Sequence, residues 1–440
     1  MELAAQAYIY GYPLVYNLHE IDGFANNIAA VPFAAPYNRF GYARALLGPE
    51  TEFVSPNNDT LYVVAACDVR QGPLVLHVPD TGGRYYVLQF VDAWTNNFAY
   101  IGRRATGTGE AEFLLAPDGW TGDVPAGMRV VAAPTGIFVI VGRVQVDGEA
   151  DLPAVHALQD QFTLTPLGGE AAPAAGAPAA DPRVREDLQW WERFRVALAA
   201  FPPPAADAPF VELAATLGAT AAESPYADPD ADLADVLVRG AAAGRQQIEE
   251  LAQGAGQQPV NGWNSAMHGF DYNLDRLGPG TLDDPAWRIA DRAEAYATRA
   301  AAARGGLWGN HGYEATYAMA WTDADGEPLD GSQHRYELRL SPPPPVDAFW
   351  SLTMYDASDF YLVANPIDRY SIGDRTPGLV TGDDGSVTIV IQRDAPDEAG
   401  RSNWLPAPDG RFRPLMRMYE PRAEVLHGEY VLPAIVRIDR

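Results

Sequence analysis

The spacing of apolar residues changes period twice along this chain, which limits the folds open to it. From about 50 to 150 the period is two, in β-branched or aromatic runs at 60–64, 73–78, 84–91, 129–132 and 137–141. Gly, Pro and Asp clusters such as Gly82-Gly83 and Pro117-Asp118-Gly119 separate these runs. That spacing predicts an antiparallel sandwich or barrel. Between about 153 and 310 the spacing becomes helical, with helices expected near 153–162, from Asp181-Pro182 to about 200, at 233–251 and at 284–303. From about 312 strands return, at 313–321, 335–340, 348–355 and 387–391. Asp323–Gly326 and Asp383–Ser386 supply the Asp and Gly that hairpin turns accept at positive φ. A short helix over residues 2–20, interrupted at Pro13, precedes the first strands and carries Tyr8, Tyr10, Tyr12 and Tyr16.

The expected fold is mainly β with a helical insertion: two antiparallel β-sandwich or jelly-roll-like domains. The boundaries are 1–150 for the N-terminal β-rich domain with its leading helix, 151–310 for the helical insertion and linker, and 311–440 for the C-terminal sandwich. A chain of 440 residues exceeds one ordinary core, which agrees with several domains. Residues 166–182, rich in Gly, Ala and Pro, read as a surface loop.

Composition excludes several function classes. A formal charge of −27 repels phosphate backbones and anionic lipid surfaces, so nucleic acid is not an expected partner. No run approaches the ~18 apolar residues of a membrane helix, so no membrane span is expected. All 31 basic residues are arginine; without lysine there is no P-loop and no Schiff-base chemistry. Cys67 is the single cysteine, in a strand-like run, which rules out an internal disulfide and reads as a small buried hydrophobe. The seven histidines do not cluster; His268 and His311 read as surface or capping residues. No Gly-x-Ser-x-Gly elbow occurs, and Gly107-Thr108-Gly109 lacks the third glycine of a dinucleotide fingerprint.

Three segments, Ala7–Leu14, Ser55–Tyr62 and Arg84–Asn96, together with Phe349–Asp356, Asn365, Arg369–Asp374, Asp384–Ser386, Asn403–Pro406 and Arg417-Met418-Tyr419, carry a resemblance. They resemble a bacterial family of paired domains of unknown function, 1254 followed by 1214. The resemblance covers most of the chain in order and implies two sandwich-like domains with a helical insertion. Many relatives in that family carry an export signal, whereas Met1-Glu2-Leu3 leads directly into a helix here. The expectation is cytoplasmic for a complete chain, and periplasmic or secreted if an export signal has been trimmed.

Candidate site residues come from polar clusters at strand ends, where loops usually hold sites. Asn57, Asn58 and Asp59 precede a strand, with Tyr62 beside them; Asp92, Trp94 and Asn96 follow another. Asp59, Asp92 and Asn96 are the catalytic candidates, since paired carboxylates serve acid–base work or a hard metal. Asn57, Asn58, Tyr62, Trp94, Arg369, Tyr370 and Trp404 are the substrate-binding candidates, Arg369 as a clamp for carboxylate or phosphate. Each cluster reads equally as a hydrogen-bonded turn, an Arg–Asp bridge or an apolar anchor. The expected function is an enzyme acting on a small polar or amphipathic molecule in an interdomain cleft, by hydrolase- or lyase-type chemistry without a redox cofactor. The alternative is a protein binding a carbohydrate-like ligand or assembling with a partner. No cofactor is expected; a divalent metal on the carboxylates stays open, as does a homo-oligomer.

Overall fold

The structure, a computed structural model, describes residues 2–438 apart from 27–31, 52, 170–172, 257, 283 and 290. Four mostly antiparallel sheets form two sandwiches. The inner sheet of the first runs Gly41–Tyr42, Thr60–Asp68, Ile137–Gln145, Tyr86–Asp92, Asn97–Gly102, and its outer sheet Arg129–Ala133, Ala111–Pro117, Leu74–Val78, Thr163–Pro166. The second has an inner sheet Trp263–Ala266, Ala315–Ala320, Phe412–Pro421, Val346–Asp356, Ser371–Gly373 and an outer sheet Trp404–Pro406, Val387–Gln392, Tyr336–Leu340, Val436–Arg437. The two parallel pairings, one in each outer sheet, involve strands of three to seven residues.

Both faces of each inner sheet are buried. Along Thr60–Asp68, Leu61, Val63, Ala65 and Cys67 point into the first sandwich, whereas Tyr62, Val64 and Ala66 join a second core shared with the helices. This is the period-two alternation of a strand with apolar demands on both sides. The shared core unites α1 (Glu2–Ala25) with α3 (Gln189–Ala200), α4 (Ala208–Thr216), α5 (Ala231–Ala252) and α6 (Arg292–Gly306); α2 (Leu152–Gln159) lies apart on the first sandwich.

Three differences from the sequence reading have physical causes. Helix α1 runs unbroken through Pro13. A proline inside a helix costs about 3 kcal/mol, and burial of Tyr8, Tyr10, Leu14, Leu18 and Ile21 offsets it at about 1.5–3 kcal/mol per large side chain. The 151–310 region is not purely helical: Thr163–Pro166 extends the first outer sheet and Trp263–Ala266 edges the second inner sheet. Four-residue strands are too short to display a period. Finally, Asp181 and Asp284 do not cap long helices. Gln189 and Arg292 begin them, the latter after Asp291, whose side chain accepts from the Glu294 amide.

Candidate functional site: a cavity between the two sandwiches

A cavity of about 420 Å³ opens between the inner sheets, beneath α6 and the end of α5. Such volumes suit small organic molecules. Strand register builds its polar wall. In the first sheet Tyr62 lies directly across from Arg143, and in the second Tyr317 lies across from Arg417, with Tyr419 two residues along. Each sandwich thus contributes one cross-strand Tyr–Arg pair. The remaining lining is mainly apolar, including Phe53, Phe270, Trp308 and Leu415, and α6 presents Ala297, Ala301, Ala302 and Gly305.

Both arginines are almost wholly buried, Arg143 at 6% exposed and Arg417 at 3%. Arg143 donates to Gln89 Oε1 (2.8 Å) and the Trp308 carbonyl (2.9 Å). Arg417 donates to Thr353 Oγ1 (2.9 Å), the Ser55 carbonyl (2.7 Å) and the Tyr355 hydroxyl (2.8 Å). None of these partners is charged. Asp59 near Arg417 and Glu314 near Arg143 bond to neither among the described residues, and a buried cation without a direct ion pair costs several kcal/mol, so the arrangement reads as a site for an acceptor. Arg413, one layer behind, donates to Ser55 Oγ, and burial pushes its guanidinium down to about 9.

Asn57 completes the wall. Its Oδ1 accepts from Thr60 N (2.9 Å), Thr60 Oγ1 (2.9 Å) and Asp59 N (3.1 Å), which fixes the amide orientation. The Nδ2 is buried with no acceptor among the described residues. Tyr317 OH accepts from Asn310 N (2.9 Å) and Nδ2 (3.0 Å), leaving its own proton to donate. Tyr62 OH accepts from Asn57 N (3.1 Å) in the same way. Burial holds the Tyr317 and Tyr419 hydroxyls above their usual range, so both remain protonated donors at neutral pH. Trp308, whose φ is +63°, is held by its indole N–H to Asn17 Oδ1 (2.7 Å). A smaller chamber of about 40 Å³ adjoins, sharing Phe53, Tyr62 and Trp308 and ending at Glu20, whose carboxyl burial pushes up.

The sequence candidates divide. Asn57 and Tyr62 line the cavity, and Asp59 sits just behind them with Oδ2 accepting from Ser351 Oγ (2.7 Å) across the interface. Asn58 donates to the Leu47 carbonyl (2.6 Å) and is a structural turn residue. Asp92 and Asn96 do not share a cleft with Asp59. The strands 60–68 and 86–92 both run antiparallel to 137–145, so the start of one and the end of the other lie at opposite ends of the sheet. Thr60 pairs with Gln145 and Asp92 with Phe138, and at ~3.4 Å per residue they stand on the order of 20 Å apart. The Asp92 carboxylate caps its own turn, accepting from Trp94 N (2.9 Å), Asn96 N (2.8 Å) and Asn96 Nδ2 (2.9 Å).

Trp94 anchors the helical layer, its indole N–H on the Phe201 carbonyl (2.9 Å) and its ring beside Tyr10. Among the described residues Arg369 makes no Asp bridge; it donates to the carbonyls of Arg401, Ser402 and Trp404. Interdomain bridges are made by Arg375, on the Asp59 carbonyl (2.8 Å) and Asp147 (3.0 Å), and by Arg103 with Glu420. Tyr370 donates to Asp368, and Trp404 is buried with its indole on the Gln392 carbonyl. His311 is buried rather than superficial, and His268 pairs with Asp271 (2.6 Å), which also accepts from Gly312 N. The residues missed were Arg143, Arg417, Tyr317 and Tyr419. For Arg143 a signal existed: it is the one charged residue in the apolar strand Ile137–Gln145, where an unpaired charge is expensive; Arg417 shares its strand with Arg413 and Glu420 and stood out less.

Residues 37–166 match the family described as Protein of unknown function (DUF1254), and residues 314–423 match Protein of unknown function (DUF1214). The chain belongs to the family that pairs these two domains. In this paired-domain member, the first match ends with the outer-sheet strand Thr163–Pro166, and the second supplies Tyr317, Arg417 and Tyr419. Among solved structures the chain is similar to the VPA0106 protein from Vibrio parahaemolyticus, at 26% identity and TM-score 0.70 over 99% of both chains. An uncharacterized protein from Burkholderia cenocepacia aligns at 12% identity and TM-score 0.46, over 98% of this chain and 88% of that one. Among curated proteins, none matches.

Proposed function

We propose that this protein takes up a small amphipathic molecule in the cavity between its sandwiches. The observation that supports this is a mainly apolar cavity with two buried arginines and no charged partner for either among the described residues. Any chemistry there is proton transfer of the lyase type, with the Tyr317 or Tyr419 hydroxyl as proton donor beside a guanidinium. Hydrolysis fits less well. Ser55, the serine in the lining, donates to the Gly305 carbonyl (3.0 Å) and accepts from Arg413, with no base beside it. A carbohydrate-like ligand also fits less well, because an apolar body matches most of the lining.

The test is thermal shift against a panel of small amphiphiles, using the full chain and Ala302→Trp, which fills the cavity from α6. A binder raises the wild-type melting temperature in proportion to the logarithm of its concentration and leaves the variant unmoved. A panel that moves neither protein, or both equally, sinks the reading. For a binder, product analysis then separates turnover from storage.

A further inference from the structure

The polar wall of the cavity, taken as the ligand site proposed above, has a chemical bias. What Asn57 Nδ2, Arg143, Arg417 and the hydroxyls of Tyr62, Tyr317 and Tyr419 offer inward is N–H and O–H. The acceptors nearby are already engaged: Asn57 Oδ1 by Thr60 and Asp59, the Trp308 carbonyl by Arg143, the Ser55 carbonyl by Arg417. Among the described residues the single acid in the lining is Glu294, exposed at the rim. Asp59 lies behind the wall with one oxygen on Ser351 and the other on the Asn58 amide.

We infer that the cavity binds an amphipathic monoanion, its carboxylate head at Asn57, Arg143, Arg417 and Tyr419, its apolar body along Phe53, Phe270 and Leu415. Arg143 and Arg417, with Arg413 one layer behind, outnumber the Asp59 carboxylate, so the wall keeps positive charge for an anionic head to neutralise. The planar guanidinium and amide donors match a planar carboxylate. Asn57 carries the most weight. It is 2% exposed, its oxygen is fully engaged, and its amide N–H groups lack an acceptor that a carboxylate oxygen supplies. A buried donor without a partner is expensive to leave unmet.

Size follows from volume. At ~30 Å³ per water, 420 Å³ corresponds to roughly fourteen water-sized units, so a medium-chain or aromatic acid fills it. The overall charge of −27 does not forbid an anion. Beyond about 8 Å physiological salt screens exposed charges, whereas buried guanidiniums at contact distance are screened little.

The experiment compares decanoate, decan-1-ol, decylamine and decyl phosphate by calorimetry on the full chain at pH 7.5, below their micellar concentrations. We expect decanoate to bind at least tenfold more tightly than decanol, and decylamine not to register. Asn57→Asp keeps the oxygen contacts but turns an anionic oxygen inward. It should weaken decanoate tenfold or more relative to decanol. Tyr419→Phe, which removes only a hydroxyl, should weaken decanoate about threefold. If decanol matches decanoate, or if neither variant shifts the decanoate-to-decanol ratio, the anionic head is wrong while the cavity reading stands. Decyl phosphate binding more tightly than decanoate overturns the carboxylate assignment. If no amphiphile binds, the cavity reading itself falls.

Discussion

Glu314 sits fully inside the seam between the inner sheets, where Tyr85 donates to its Oε1 at 2.7 Å. Burial pushes its carboxyl up to about 7; the Tyr85 hydrogen bond opposes this, Glu420 adds to it, and Arg104 and Arg143 oppose it. The folded state therefore holds a proton that the unfolded chain, with an ordinary value of 4.5, releases earlier. Stability from this group is fully present below about pH 4.5 and is lost as pH rises towards 7. The difference is about 3 kcal/mol at ~1.4 kcal/mol per pH unit. We expect Glu314→Gln, which keeps an acceptor for Tyr85, to flatten the pH dependence across that window and to be the more stable protein at pH 7.5. Denaturant midpoints measured from pH 4.5 to 7.5 check this; equal slopes in both proteins would remove Glu314 as the source. At this scale the sequence was partly legible. Asn57 and Tyr62 were found because an Asn/Asp run before a strand marks a turn, and this turn lies against the cavity. Asp92 was misplaced because the same signature marks a turn that only caps itself.

Helices α1 and α5 approach closely because α5 carries glycine at the crossing. A Cβ on Gly240 would stand 2.3 Å from Ala4 Cβ and 3.1 Å from its backbone carbon, and one on Gly244 would meet Tyr8 Cδ1 at 2.8 Å. Two effects oppose each other in Gly240→Ala. Helix propensity favours alanine by about 1 kcal/mol, while overpacking against a backbone that cannot rotate away costs about 1–3 kcal/mol. The clash wins, because the atom met is a β-carbon and main chain rather than the end of a flexible side chain. We expect Gly240→Ala to lower stability by about 1 kcal/mol, whereas alanine at Ala231–Ala252 positions facing solvent changes little. Equilibrium unfolding of the two kinds of variant decides; a stabilised Gly240→Ala would mean that the helices can separate freely. The existence and type of this helix were readable from the apolar spacing over 233–251; in the structure Asp230 caps it, accepting from Asp232 N and Leu233 N. The crossing partner was not, because glycine spacing does not name the helix it faces.

Across the whole molecule, the two sandwiches share one apolar core with the helices, and polar contacts stitch the seam. Arg103 pairs with Glu420, Asp59 accepts from Ser351, Arg375 reaches the Asp59 carbonyl, and Arg417 the Ser55 carbonyl. The shared core includes Tyr62, Tyr85, Trp94, Tyr317, Phe349 and Tyr419 from both inner sheets. Losing either sandwich would expose that surface, so neither unfolds without the other. Calorimetry should therefore show one transition rather than two, with calorimetric and van't Hoff enthalpies in agreement. Two resolved peaks would mean that the seam contributes little.

Sequence alone determined the β-rich flanks around a helical middle and many of their strands, because hydrophobic period is a local property that each strand or helix must satisfy for itself; strands such as Asn97–Gly102, Ala111–Pro117 and Phe412–Pro421 were not read from it. It also determined the chemistry that is missing: no lysine and a single cysteine exclude reactions whatever the fold. Only tertiary structure decided the site. Arg143 and Arg417 lie 274 positions apart in the chain, and their meeting depends on strand register in two sheets and on the packing of those sheets face to face. Register and packing are set by long-range burial, which no window of neighbouring residues records.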